Sequence, residues 1–418
     1  MPSPRSCRRT AISARIALNA PDKGHWLNKT RLTVYSRGML VAYALIGVGI
    51  LVNSSLVTPG GFALDSDFGI FQAAARLALE GHPLLVYDPV QLWEKFKSLT
   101  GSSGAGMGNF AWFYPPPFLA LLLPFGLMPY FPAYLTFMAI TLAAYITVLQ
   151  RIVPGRDALW CLLAFSGVWF NFRLGQNGLL TAALAGAALL NLERGNEKWA
   201  GTFIGLLIIK PHLALLFPVA LAALGAWRVF WIAGGVALAV FSLSTALLGT
   251  AMLAPWWHSL GYATSLTEHL MGYWVNMPTV FAFLRLLGTP VSIAYGIHFL
   301  VAALAAATVW QVWRRCPSWP LRNATLVVAT FLVSPYLFEY DLAWLALPVA
   351  WMTQLGLSEG WHRGERELLI AAWLLPFALH LVARGFPFHL QIGPWVLMAL
   401  LWSIVHRSRG LAESTAKI

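Results

Sequence analysis

The sequence predicts an all-α polytopic membrane protein. Its expected form is a bundle of about 10–12 transmembrane helices with re-entrant or interfacial helices on the outer face. Three observations carry this. Hydrophobic residues make up 58% of 418 and charged residues only 11%, whereas a soluble domain carries about a quarter charged residues. The apolar residues fall in runs of roughly 15–25, the length that crosses a hydrocarbon core of about 30 Å. The basic residues lie between those runs. A formal charge of +12 would otherwise suggest nucleic acid, but charges that form no single patch or stripe exclude that class and report orientation instead.

The elements follow in order. Residues 1–38 hold eight Lys/Arg and a single acid, Asp22, and read as a cytoplasmic basic tail. The first span is expected at about 40–58, kept as a signal anchor because the basic tail is too long for a cleaved signal. Residues 59–114 are polar and Gly-rich and carry five acids. Such a stretch cannot face lipid and forms an outer loop. The apolar piece 115–128 is short and Pro-rich, which suits a re-entrant or interfacial helix. Spans follow at 131–150, 158–171 and 178–192.

Residues 199–227 resemble one long helix, yet Arg194, Lys198 and Arg228 at its two ends all mark the inner face. One helix cannot begin and end on the same side. A break at Lys210-Pro211 resolves the parity, because Pro disrupts a helix and turns the preceding residue away from it. Each arm is then about 11–14 residues, roughly 16–21 Å at 1.5 Å per residue, so Lys210 sits at an apex inside a cavity. A span at 230–249, an aromatic-rich outer loop at 251–277 and a short apolar piece at 278–287 come next. Further spans are expected at 291–313, 323–335, 342–352, 368–383 and 392–406, and a cytoplasmic tail at 407–418. In this arrangement a single membrane domain covers 39–406 and both termini are cytoplasmic. Of 28 Lys/Arg, only Arg76, Lys95, Lys97, Arg173, Lys210, Arg285 and Arg384 fall away from the inner face.

The outer segments collect the chemistry. After Asp67, the residues Phe68, Phe71, Ala75 and Leu79 recur at helical spacing, which sets Asp67 at the start of an amphipathic helix. An N-cap is the ordinary role there, and a capping carboxylate can still face a cavity. Asp65 is the alternative. Gly175-Gln176-Asn177-Gly178 is a turn signal, but Arg173 and Gln176 exceed what a turn requires. A cation at membrane depth asks for a partner, often an anion. That argument is stronger for Lys210 in Lys210-Pro-His212, since snorkelling suits a span end and not the middle of an apolar run. Arg285 either snorkels or meets phosphate, and the ordinary reading of Asp341 is a helix cap only. Tyr114 closes the first outer loop. His258 and His269 match no metal motif. Cys7, Cys161 and Cys316 match no metal or disulfide framework. No Gly-x-x-x-x-Gly-Lys loop is present, which argues against ATP-driven transport. Asp, Arg, Lys, Asn and Gln gathered at one membrane face suit an anionic amphiphile whose phosphate is held by Arg/Lys while its tail stays in the bilayer.

Several stretches together resemble the family 87 glycosyltransferases. They are Asp67-Phe-x-x-Phe-x-Ala-Ala-Ala-Arg76, Tyr114-Pro-Pro-Pro-Phe118, Gly175-Gln-Asn-Gly-Leu-Leu-Thr-Ala-Ala-Leu184, Lys210-Pro-His212, Asn276-Met-Pro-Thr-Val-Phe281 and Ser334-Pro-Tyr-Leu-Phe-Glu-Tyr-Asp341. The resemblance covers residues 65–347 and lies in the order and spacing of these motifs. It implies a GT-C-like bundle in a bacterial cytoplasmic membrane, with the site facing the periplasm. It also implies a polyprenyl-phosphate-linked sugar donor, a glycolipid or glycan acceptor and no cofactor. The family's known members include mannosyltransferases, so a hexose, mannose first, is the expected sugar. An outer-loop Asp acts as base in the family and corresponds to Asp67. Lys210, Arg173, Gln176, Asn177, His212, Tyr114, Arg285 and Asp341 are the candidate substrate-binding residues. The rival reading is a transporter or flippase of a lipid-linked sugar, which would use the same cations without a base. Transporters often carry inverted repeats, and none is evident here. A ligase or polymerase acting on lipid diphosphates is a second alternative.

Overall fold

A computed structural model describes residues 25–53, 57–58, 61–62, 67–100, 111–385 and 390–416. Asp65, Lys417 and most of the basic tail lie outside the described residues. Those described are almost entirely helical. The exception is a two-residue antiparallel ladder, Val57–Thr58 against Gly61–Phe62. Among the described residues, five helices are long and apolar enough to cross a membrane: Lys29–Gly49, Tyr130–Ile152, Trp227–Leu248, Val291–Arg315 and Glu365–Ala383. Pro116–Gly126, Gly178–Glu193, Pro211–Leu224 and Trp319–Val333 are shorter apolar helices. The chain is a multi-pass membrane protein.

Several boundaries differ from expectation for local reasons. The first helix starts at Lys29, well before residue 40. Its basic residues do not stop it, because they find partners beside it. Lys29 pairs with Asp157 at 3.1 Å and Arg37 lies over the Trp160 ring at 4.9 Å. The pass expected at 158–171 is two helices, Arg156–Leu163 and Ser166–Leu174, broken at Ala164 and Phe165. The region 251–277 is a 17-residue helix, Leu253–His269, and a short turn of helix, not a loop. The last helix, Gly393–Ala416, runs on past position 407.

The Asp67–Leu79 helix begins at Asp67 as expected, but it is buried almost all round and not amphipathic. It packs against Pro89–Thr100 and Pro116–Gly126, the two helices that follow it in the chain. One apolar core runs through the bundle. The Trp319–Val333 and Gly178–Glu193 helices are buried along most of their length and form its axis. Small residues let neighbours approach. A Cβ at Gly201 would meet Ile232 at 2.6 Å and one at Gly205 would meet the Ala233 carbonyl oxygen at 2.7 Å. The Gly201-x-x-x-Gly205 pair thus seats Glu197–Leu206 directly on Trp227–Leu248, the packing mode of small-xxx-small membrane helices. The other faces of Trp227–Leu248 and Val291–Arg315 carry exposed Trp231, Leu238, Leu243, Phe299 and Leu304, as lipid contact requires.

Candidate active site

Four segments distant in the chain meet at one end of the core. They are the start of Asp67–Leu79, the turn between Ser166–Leu174 and Gly178–Glu193, the break at Lys210, and the stretch leading into the Glu339–Leu345 turn.

The 175–178 turn is the wedge between them. Gly175 ends its helix in the left-handed conformation at φ 66°, which glycine adopts without steric cost. A Cβ there would lie 2.4 Å from the Phe68 Cβ, and a Cβ at Gly178 would lie 2.3 Å from the Tyr340 carbonyl oxygen. The turn is therefore pressed against the Asp67 helix on one side and the Asp341 segment on the other. Asn171 secures the second contact. Its amide donates to the carbonyls of Gly167 and Tyr340, both at 2.8 Å, and its Oδ1 accepts from the Leu179 N–H at 3.3 Å.

Across this wedge runs a continuous polar chain. Gln176 Nε2 donates to Asp67 Oδ2 at 2.7 Å. Gln176 Oε1 accepts from the Tyr114 hydroxyl at 3.2 Å and from the Asn177 N–H at 3.3 Å. Asn177 Oδ1 in turn accepts from Lys210 Nζ at 3.4 Å, and Lys210 Nζ pairs with Asp341 Oδ1 at 2.5 Å. Asp341 Oδ2 accepts the Phe338 N–H at 3.3 Å, a cap on the turn that follows. The Lys210 ammonium also lies 4.6 Å from the Tyr340 ring and 5.9 Å from that of Tyr114. An ammonium in an apolar interior is unstable unless paired and hydrogen-bonded, and this shell satisfies both conditions. The backbone allows it: two short 3₁₀ turns flank Lys210, whose extended φ of −147° interrupts the helix as the Pro211 argument requires.

A cavity of about 300 Å³ opens beside the chain. Lys210, His212, Tyr114, Tyr336 and Tyr340 form one side, and Trp256 of the Leu253–His269 helix closes the other. His212 stands edge-on to Tyr336 at 5.9 Å. Its Nε2 is buried with no hydrogen-bond partner among the described residues. Pro211 is shared with a second, wholly apolar crevice of about 190 Å³ between the broken pass and Trp227–Leu248. Ile204, Gly205, Ala214, Phe230 and Gly234 line it.

The structure thus brings together Asp67, Tyr114, Gln176, Asn177, Lys210 and Asp341, with His212 on the cavity wall. Two candidates stay outside the network. Arg173 is exposed and makes no hydrogen bond or ion pair among the described residues. Arg285 neither snorkels nor stands open to an anion. Its guanidinium donates to the carbonyls of Thr289 at 2.6 Å and Glu268 at 3.0 Å and stacks over Trp274 at 4.5 Å. It fastens the Val280–Leu286 helix to the Leu253–His269 helix. Asp65 lies outside the described residues. Tyr336, Tyr340 and Trp256 were not singled out from the sequence. The crowding of aromatics in residues 334–340 was the available signal. No group of three or more His, Cys, Asp or Glu placed to hold a metal occurs among the described residues.

The family model for glycosyltransferase family 87 matches residues 112–335, more than half of the chain. That stretch contains Tyr114, Gln176, Asn177 and Lys210, and neither Asp67 nor Asp341. No curated protein and no solved structure matches the chain.

Proposed function

This chain belongs to glycosyltransferase family 87 and is a membrane glycosyltransferase; we propose that it moves a hexose, mannose first, from a polyprenyl-phosphate donor to a hydroxyl of a glycolipid or glycan acceptor. The observation that carries this reading is the polar chain that joins Asp67, through Gln176 and Asn177, to Lys210 on the cavity wall.

The chemistry is a single displacement with inversion. The acceptor hydroxyl attacks the anomeric carbon and gives its proton to Asp67, the general base. The bond from the anomeric carbon to the phosphate oxygen breaks, and the electron pair leaves with the polyprenyl phosphate. Lys210 and His212 stabilise the charge of that leaving group. An ammonium has three donors. Asp341 and Asn177 take two, so a phosphate oxygen can take the third without displacing Asp341. Because Asp341 already compensates Lys210, His212 is the further donor on the cavity wall. The apolar crevice beyond Pro211 suits the isoprenoid chain, which must leave the phosphate and return to the bilayer. In this reading both termini are cytoplasmic and the site faces the periplasm of a bacterial cytoplasmic membrane.

The test is Asp67→Asn beside Asp65→Asn in proteoliposomes supplied with polyprenyl-phosphate mannose and a native lipid extract as acceptor source. Asn is nearly isosteric and still caps a helix, so folding and donor binding should survive in Asp67→Asn. Turnover should fall by about 10²–10⁴-fold, the usual contribution of a general base. Near-normal turnover in Asp67→Asn with loss in Asp65→Asn would move the base to Asp65. Wild-type movement of the intact donor across the bilayer, without cleavage of the sugar bond, would favour a flippase.

A further inference from the structure

Gln176 has an amide whose orientation is settled by its surroundings. Its Oε1 lies 3.3 Å from the Asn177 N–H and 3.2 Å from the Tyr114 hydroxyl. A backbone N–H only donates, so the atom facing it is an acceptor and must be the amide oxygen. The amide nitrogen then faces Asp67 Oδ2 at 2.7 Å and donates to it. Gln176 is itself buried, held between Gly175 and Gly178, whose close contacts with Phe68 and Tyr340 lock the turn. The amide has little freedom to rotate away.

We infer that Gln176 is a positioning residue for the base: its amide holds Asp67 Oδ2 as an acceptor and fixes the orientation of the carboxylate. The inference rests on Asp67 being the base and goes further, since it reassigns Gln176 from the substrate to the carboxylate. A hydrogen bond donated to a carboxylate favours its charged form, so Gln176 also keeps Asp67 ready to accept a proton. Tyr114 acts one step behind, steadying the amide through Oε1. The titratable groups around Asp67 include Lys210, with Asp341 paired to it, and the hydroxyls of Tyr114, Tyr273, Tyr336 and Tyr340. All of these groups are unchanged in the Gln176 variants, so a difference in the acid limb between those variants and the wild type reports the Gln176–Asp67 contact.

The experiment is the pH dependence of kcat in the same proteoliposomes, with polyprenyl-phosphate mannose as donor. Gln176→Leu removes the donated hydrogen bond at similar volume. Its kcat should fall at least tenfold, its KM for the donor should stay within about twofold, and its acid limb should move up by on the order of one pH unit. Gln176→Glu sets a second carboxyl beside Asp67, where two carboxylates share a proton, and should move the limb further. Tyr114→Phe perturbs the network least and should move it in the same direction by less. If Gln176→Leu does not fold, Gln176→Glu and Tyr114→Phe decide the matter. Loss of activity with the acid limb unmoved in the folded variants would make Gln176 only a structural residue and overturn the inference. Near-normal turnover in Asp67→Asn would be a different failure, that of the base assignment itself.

Discussion

Lys210 and Asp341 stand 131 positions apart in the chain and meet at 2.5 Å, with both side chains almost wholly withdrawn from their surroundings. Lys210 sits at the break between the Glu197–Leu206 and Phe217–Leu224 helices and Asp341 in the Glu339–Leu345 turn, so their pairing ties two helix ends together at the site.

Removing one partner leaves an uncompensated charge in an apolar interior. Lys210→Ala should therefore destabilise the fold by about 3–5 kcal/mol, beyond any loss of donor affinity. Lys210→Met with Asp341→Leu removes both charges and should recover most of that stability while transfer stays absent. Thermal unfolding in detergent, read beside sugar transfer, checks both halves. A stable Lys210→Ala protein that merely binds donor less well would show that the pair matters little to folding.

The wedge turn has no room for a side chain at residue 178. Gly178→Ala places a methyl 2.3 Å from the Tyr340 carbonyl oxygen and 2.7 Å from Asn171 Oδ1. It should cost about 1–3 kcal/mol through overpacking and reduce transfer by separating Gln176 from Asp67. Gly296→Ala, in open space on the exposed face of the Val291–Arg315 helix with an ordinary helical backbone, should cost nothing and leave transfer intact. Melting temperature and initial rate in the two variants give the comparison.

If the crevice beyond Pro211 holds the isoprenoid chain, filling it should discriminate donors by chain length. A Cβ at Gly234 meets nothing within 4 Å, so Gly234→Leu should fold while narrowing the crevice that Gly234 lines. Its KM should rise several-fold for a long-chain polyprenyl-phosphate mannose and stay unchanged for a short-chain analogue. Gly235→Leu is the control, equally unobstructed but not on the crevice wall. An equal effect from the two leucines, or none with either donor, would return the crevice to ordinary membrane lipid.

Orientation has its own measurement. Ser102 belongs to the 59–114 segment that also carries Asp67 and is proposed to lie outside; it is not among the described residues. In intact cells Ser102→Cys should react with a membrane-impermeant maleimide. Reaction only after the inner membrane is opened would invert the topology and move the site to the cytoplasmic face.

Hydropathy, proline and the distribution of basic residues act over short distances, and what they determine was legible in the chain itself. The all-helical membrane class, the short helix after Pro115, the helix start at Asp67 and the break at Lys210-Pro211 are of this kind. Each depends on the length of an apolar run or on one residue's backbone chemistry. Aromatic density misled at 251–277: no apolar run of full span length marks that stretch, and its helix packs against the Pro83–Tyr87 turn. Partnership was beyond reach. Asp341 alone looks like a cap and Lys210 alone looks like an anion site. Only helix packing sets them against each other, because an apolar interior stabilises a charge only when its counter-charge arrives from elsewhere in the fold. The same packing turned Gln176 toward Asp67, left Arg173 exposed and bound Arg285 to backbone carbonyls, although all three read alike in sequence as polar residues among apolar ones.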